Sequence, residues 1–185
     1  MKKILTVALV AVLALGVNFK AQAIENPYET GTFTLAANLG VAPGFGGNIM
    51  GDYVLVNEWW KGHFTVGGYI GFSNYKYNKS TVNDYKVWDA FNNLCFMPRA
   101  TYGLNITNEF EVHAGVMTGI VYRSWSGRDS EGNKYKDSDN NEFHYDPFAF
   151  IAGCRYFFTD HLAANAEFNY SGYMPYLNVG LAYRF

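Results

Sequence analysis

The chain has 185 residues, which fits a single domain by the usual length of a folded unit. Aromatic residues make up 18% of the sequence, and charged residues make up 16%, below the typical share of about a quarter. The formal net charge of -2 provides no basic surface of the kind that nucleic acids require. Composition therefore excludes a nucleic-acid partner and predicts a chain in which apolar and polar residues are evenly mixed.

The N-terminus has the features of a cleaved export signal. Two lysines precede the apolar stretch 4–17, and residues 21–23 read Ala-Gln-Ala, a small-x-small cleavage site. The apolar stretch is too short to span a bilayer comfortably. We predict a signal peptide over residues 1–23 and a mature domain over residues 24–185. Cleavage removes three of the 14 basic residues and leaves 11 against 16 acidic ones, a net charge near -5.

Alternation of apolar and polar residues recurs eight times along the mature chain. Successive side chains of a strand point to opposite faces, so each alternating segment predicts a strand with one apolar face and one small or polar face. The last segment is the clearest, with apolar residues at every second position from Leu177 to Phe185. The eight predicted strands are 32–39, 49–56, 63–73, 92–104, 110–123, 148–157, 162–170 and 176–185.

The connections between these segments differ in length. Residues 57–62, 105–109 and 158–161 form short connections, whereas residues 74–91 and 124–147 form long ones. Tight turns at one end and larger loops at the other are typical of transmembrane barrels. The sequence thus predicts an all-β fold, a closed antiparallel up-and-down barrel of eight strands that spans a membrane.

The lysines decide which face of the barrel meets solvent. A soluble barrel of the lipocalin type would carry its apolar face inside and a charged, lysine-rich face in water. Every lysine of the mature chain instead falls in a predicted connection or at its edge: Lys61, Lys76, Lys79, Lys86, Lys134 and Lys136. A water-facing wall without lysine is unfavourable, so we expect the apolar face to contact lipid.

Aromatic residues near the strand ends predict two interfacial girdles. The members at one rim are Trp59, Trp60, Phe64, Phe110 and Tyr183, and those at the other rim are Tyr122, Trp125 and Tyr170.

A set of charged residues falls on the inward face: Asp52, Arg99, Glu111, His113, Arg155, Glu167 and Arg184. These side chains could line a solute path. An eight-stranded barrel, however, is only wide enough for side chains, which favours an ion-pair network that fills the lumen.

Catalysis, metal binding and a cofactor find little support in the sequence. Glu111 and His113 share the inward face of one strand, but no nucleophile or further ligand converges on them. The acidic run 137–142 begins like a calcium loop, although Glu142 replaces the turn glycine. Cys95 and Cys154 lie on strands separated by a third strand, too far apart for a disulfide, so two free thiols are expected.

The C-terminal strand, Leu177-Asn-Val-Gly-Leu-Ala-Tyr-Arg-Phe185, resembles that of the small eight-stranded outer-membrane barrels that include OmpX and the transmembrane domain of OmpA. The resemblance covers residues 24–185 and implies a location in the bacterial outer membrane, in contact with lipid and lipopolysaccharide. It also implies recognition by the outer-membrane assembly machinery and periplasmic chaperones, through a signal formed by Val179, Leu181, Tyr183 and Phe185.

We therefore expect a non-enzymatic surface barrel that serves envelope integrity or binds an external ligand at loops 74–91 and 124–147. Two alternatives remain open at this point. One is a narrow channel for small or apolar solutes, and the other is an outer-membrane lipid-modifying enzyme.

Overall fold

A computed structural model describes residues 28–42, 44–82, 85–129, 131 and 133–185, so the predicted signal peptide lies outside the described residues. Within these ranges no helix is long and apolar enough to cross a membrane. The chain forms eight strands: β1 (Phe33–Val41), β2 (Phe45–Trp59), β3 (Gly62–Val82), β4 (Tyr85–Asn105), β5 (Phe110–Arg128), β6 (Lys134–Phe157), β7 (Leu162–Tyr170) and β8 (Leu177–Arg184).

The strands form a closed antiparallel barrel in which each strand pairs with the next along the chain. β1 and β8 close the ring, with a register that runs from Thr34 opposite Arg184 to Val41 opposite Leu177. Closure pairs the backbone N–H and C=O groups around the whole ring, which a bilayer requires. The predicted fold class and strand number are confirmed.

The two faces of the barrel are divided as the alternation predicts. Outward apolar side chains are widely exposed, for example Leu39 (60%), Ile49 (56%) and Leu181 (55%). The inward face is buried and holds both polar groups and apolar side chains, the latter including Met50, Tyr69, Met97, Met117, Val121 and Ile151. An apolar exterior around a mixed interior suits a lipid environment.

The connections fall at two ends of the barrel. We call the end that carries the chain termini and the β2–β3, β4–β5 and β6–β7 connections the inner end. The outer end carries the other four connections. The β4–β5 and β6–β7 turns at the inner end have the same design, because Thr107 and Thr159 each accept, through their hydroxyl oxygens, the backbone N–H of the residue three positions later.

The prediction that residues 74–91 and 124–147 are loops is wrong. β2 pairs with β3 only as far as Asn74, and β7 pairs with β6 only as far as Phe150. Beyond these points β3–β6 continue to pair as a four-stranded extension of the barrel wall, with register shifts between Tyr77 and Ser80 and between Arg123 and Trp125. We call residues 75–82, 85–91, 124–128 and 134–149 the projecting sheet.

Outward polarity explains why the sequence pattern ended β3, β4 and β5 too early; on β6, where Phe143 and Tyr145 still face outward, a register shift between Ala149 and Asp146 breaks the alternation instead. An apolar outward face marks only the part of a strand that lies in lipid. Further along, the outward side chains of Asn74, Asn92 and Ser126 bond to one another across three strands, at 2.6 and 3.0 Å. The backbone ladder continues although the hydropathy pattern ends.

Candidate functional site

The lumen brings together six of the predicted inward residues: Asp52, Arg99, Glu111, His113, Arg155 and Glu167. Each is at most 4% exposed. Arg155 contacts two carboxylates, with Nη2 2.5 Å from Asp52 Oδ2 and Nη1 3.2 Å from Glu111 Oε1. Arg99 lies 2.7 Å from Glu167 Oε2 through Nη2 and 3.0 Å from Asp52 Oδ1 through Nε. The two arginines and three carboxylates thus form one connected network, which we call the lumen cluster.

His113 joins the two glutamates of the lumen cluster. Its Nδ1 lies 3.2 Å from Glu111 Oε1, and its Nε2 lies 3.3 Å from Glu167 Oε2. A ring with protons on both nitrogens can donate to both carboxylates and would balance three negative charges with three positive ones. The opposite residue on β6 is Gly153, where a Cβ would lie 2.6 Å from Nε2. Glycine on the facing strand therefore provides the space for the ring.

Two residues of the inner lumen were not predicted. Tyr28, which precedes β1, is 1% exposed and donates its hydroxyl proton to Glu111 Oε2. His63, the first residue of the predicted strand 63–73, is an inward residue of β3 and stacks on Tyr28 with ring centroids 4.0 Å apart. The odd-numbered inward series of Thr65, Gly67 and Tyr69 extends to His63, so the alternation carried this signal. Nothing local marked Tyr28, because it lies outside any alternating segment.

Tyr28 forms a plug at the inner end of the lumen, and its hydroxyl is open to a direct test. We expect Tyr28→Phe to lower the free energy of unfolding by about 1.5–3 kcal/mol, because a buried bond to a charged acceptor is lost while the ring remains. Urea unfolding in lipid vesicles, followed by tryptophan fluorescence, measures the change. Tyr145→Phe is the control, since that ring is 67% exposed on the outward face. Equal losses of unfolding free energy in both variants would contradict a stabilising role of the Tyr28 hydroxyl in the lumen.

Arg184 lies in the lumen but does not join the lumen cluster, so its predicted ion pair is corrected. Its Nε and Nη2 donate to the backbone carbonyl of Asp160 at 3.0 and 2.5 Å. The guanidinium also lies over the rings of Phe157 and Tyr28. Arg184 occupies the last inward position of β8, beside the β6–β7 turn, where a carbonyl rather than a carboxylate is within reach.

The β7–β8 connection closes the outer end of the lumen. Met174 is 4% exposed, and the carbonyl of Tyr173 accepts bonds from Ser73 Oγ at 2.8 Å and Asn93 Nδ2 at 3.0 Å. Ser171 Oγ donates to Asp146 Oδ2 at 2.6 Å. Residues 171–176 therefore fold inward and cap the lumen cluster from above.

The predicted girdle residues, with one exception, lie on outward positions. At the inner rim Trp59 packs edge-on against Phe64 and Tyr102, and Trp60 is 85% exposed. The other outward members are Phe110, Tyr122, Tyr170 and Tyr183. Trp125 is the exception, because it occupies an odd-numbered, inward position of β5 and packs on Phe91 with centroids 4.0 Å apart.

The C-terminal residues of the predicted assembly signal share the outward face of β8. Val179, Leu181, Tyr183 and Phe185 are 46%, 55%, 43% and 66% exposed. Phe185 donates its backbone N–H to the carbonyl of Phe33 at 2.9 Å, which ties the chain end to β1. Their role in assembly stays a prediction.

The cysteines and acidic residues complete the candidate sites. Cys95 is buried in the lumen and Cys154 is partly exposed, and both are free. In the part of the chain that the structure describes, no group of three His, Cys, Asp or Glu side chains could hold a metal ion. The acidic run 137–142 belongs to β6 rather than to a loop, and its side chains as far as residue 140 lie outside the described residues.

Comparison with known proteins identifies the architecture. A family model described as "Outer membrane protein beta-barrel domain" matches residues 6–185. Among solved structures, Ail, the attachment invasion locus protein of Yersinia pestis, is 16% identical with a TM-score of 0.50, over 85% of this chain and 100% of that chain. At this identity the likeness shows the fold alone.

Two further solved structures are similar. Neisserial surface protein A is 13% identical with a TM-score of 0.42, over 83% of this chain and 92% of that chain. The N-terminal β-barrel domain of Pseudomonas aeruginosa OprF is 17% identical with a TM-score of 0.44, over 85% and 98%. No curated protein sequence matches the chain.

Proposed function

Because the chain belongs to the family of the outer membrane protein β-barrel domain, we propose that this integral barrel of the bacterial outer membrane is a non-conducting, non-enzymatic surface protein that binds external ligands through its projecting sheet. Short turns of such barrels face the periplasm and longer hairpins face outward. The inner end accordingly faces the periplasm, and the projecting sheet extends from the cell surface.

The filled lumen is the observation that carries the proposal. The lumen cluster occupies the middle of the barrel, Tyr28 plugs the periplasmic end, and residues 171–176 close the external end. Charged groups that are mutually paired and at most 4% exposed leave no continuous water path for a solute through the described part of the barrel. A barrel without a path through it acts through its surfaces, and the projecting sheet is the part of the wall that extends beyond the other four strands.

The composition of the projecting sheet supports a binding role. On its inward face Tyr77 stacks on Phe91 at 4.7 Å, and Trp125 packs edge-on against both rings. Aromatic side chains supply large contact areas at low entropic cost and are enriched in protein interfaces. A cluster of this kind outside the membrane is suited to contact with another molecule.

Planar-bilayer recording tests the non-conducting character. We expect the full mature chain to show no steady openings, because the lumen cluster and both plugs obstruct the pore. A stable unitary conductance in the wild-type chain would contradict the proposal and favour the narrow channel. Incubation of the same protein with lipid A, analysed by mass spectrometry, addresses the enzymatic alternative, for which we expect unchanged lipid.

A trimmed variant tests the binding role. Replacing residues 75–91 and 124–141 by two-residue turns removes both hairpins beyond the pairs of Asn74 with Asn92 and of Arg123 with Glu142, and leaves the barrel below them in place. Labelled cells that display either form are applied to an array of immobilised glycans and matrix proteins. We expect adherence of the wild-type cells alone. Equal adherence of the trimmed form would contradict the binding role. An envelope role would replace it if loss of the protein only made cells sensitive to detergent and the trimmed form restored their resistance.

A further inference from the structure

A cavity of about 160 Å³ lies at the external mouth of the barrel, between the projecting sheet and the β7–β8 connection. Ser73, Asn93 and Arg123 contribute polar groups to its lining, and Tyr75, Phe91, Tyr173 and Tyr176 contribute aromatic rings. The volume corresponds to about five water molecules. It suits a single small unit rather than an extended chain.

Arg123 is held rigidly in this cavity. Its guanidinium carbon lies 4.6 Å from the ring centre of Phe91 and 4.8 Å from that of Tyr173, so two aromatic rings pack against it. Its Nε donates to Asn93 Oδ1 at 3.0 Å. Asn93 is itself fixed, because its Nδ2 donates to Ser73 Oγ and to the carbonyl of Tyr173. The side chain is therefore positioned before any ligand arrives, which lowers the entropic cost of binding.

Among the residues whose side chains the structure describes, Arg123 differs from the lumen arginines in having no carboxylate partner. Arg99 and Arg155 each contact two carboxylates, whereas no described carboxylate lies within ion-pair distance of Arg123. Two acidic groups of the external mouth have other partners. Asp146 accepts from Ser171, and Glu142, which faces Arg123 across the β5–β6 ladder, has its Oε2 3.0 Å from His144 Nε2. A fixed cation in a small polar and aromatic cavity has the properties of an anion-binding site.

We propose that this cavity binds a carboxylate-bearing sugar unit, such as the terminal uronic acid of a glycan presented at the cell surface. The fork of a guanidinium matches a carboxylate, and the remaining lone pairs of Asn93 Oδ1 and Ser73 Oγ can accept from sugar hydroxyls. Tyr75 and Tyr176 offer aromatic surface to one sugar ring. The inference rests on the proposed external binding role and gives that role a ligand class.

The test uses the isotopically labelled mature chain in lipid nanodiscs, titrated with D-glucuronate at constant ionic strength. We expect shifts of the Arg123 Nε–H and Asn93 side-chain amide signals with a dissociation constant in the millimolar range, as a ligand of this size allows. D-glucose, which lacks the carboxylate, should leave the signals unchanged. Acetate, which lacks the ring, should bind more weakly than glucuronate.

Two variants locate the site. Arg123→Gln should weaken glucuronate binding about tenfold to hundredfold, and Arg123→Lys, which keeps the charge but not the fork, should fall between that variant and the wild type. Lys61→Gln is the control, because Lys61 is a cation of the β2–β3 connection at the inner end and does not line the cavity. We expect it to bind as the wild type does.

Three outcomes would overturn the proposal: no shift with glucuronate, equal affinity in the wild type and Arg123→Gln, or acetate that binds as tightly as glucuronate. None of these affects the conductance and adherence measurements. A failure of the sugar site is therefore distinguishable from a failure of the non-conducting surface role, which the wild-type bilayer recording tests by itself.

Discussion

Replacing Arg155 by Met should lower the free energy of unfolding by about 3–5 kcal/mol, because removal of one partner leaves buried charges uncompensated. Arg155 is 2% exposed and contacts both Asp52 and Glu111, so its loss leaves the three carboxylates of the lumen cluster with only Arg99 and His113. Urea unfolding of the refolded chain in lipid vesicles, read by tryptophan fluorescence, measures the effect.

A compensating substitution separates charge balance from packing. In the double variant Arg155→Met and Glu111→Gln, one negative charge disappears with the positive one, and the amide oxygen of the substituted side chain can still accept the proton of Tyr28. We expect the double variant to be more stable than Arg155→Met alone, with a coupling energy of about 1–3 kcal/mol. If the stability losses of Arg155→Met and Glu111→Gln simply add in the double variant, Arg155 stabilises the barrel through its volume rather than its charge.

Replacing Ile70 by Arg should lower the free energy of unfolding by about 2–4 kcal/mol, because the substitution places a charge in the hydrocarbon layer. Ile70 is 54% exposed and lies on the outward face of β3, between Phe64 near the periplasmic rim and Lys76 beyond the external rim. Refolding into vesicles at a series of urea concentrations gives the free-energy difference.

Ser124→Arg is the control for depth. Ser124 shares the outward orientation but lies at the external boundary of the apolar surface, opposite Asn92. An arginine at this position reaches the lipid headgroups, so we expect the free energy of unfolding to fall by no more than about 1 kcal/mol. If Ile70→Arg and Ser124→Arg lower the free energy of unfolding equally, the apolar face of β3 does not contact the hydrocarbon layer.

The alternation of residue types was sufficient to predict the barrel, its strand number and most of its lumen. Leu177, Val179 and Leu181 face outward while Asn178 is fully buried, as period two requires. Lysine placement was enough to decide that lipid contacts the apolar face. These features depend on local pattern, which a single sequence contains.

The remaining features depend on contacts between distant residues. The bond between Tyr28 and Glu111 joins residues 83 positions apart, and no local pattern predicts it. The projecting sheet was missed because a strand in water needs no apolar outward face. Trp125 was assigned to a girdle because it is aromatic and lies near a predicted strand end, although its odd-numbered position on β5 places it on the inward face with Phe91.

The unequal lengths of the strands leave the mouth of the barrel high on one side and low on the other. On the low side the strands end at Val41, Phe45, Tyr170 and Leu177, which are 43% to 65% exposed and still apolar. The cavity bordered by residues 171–176 therefore lies beside the side of the mouth where the wall is lowest and its outward face is still apolar. A sugar carried on a lipid of the same leaflet would reach Arg123 by lateral diffusion, and its surface density, rather than its concentration in solution, would set the occupancy.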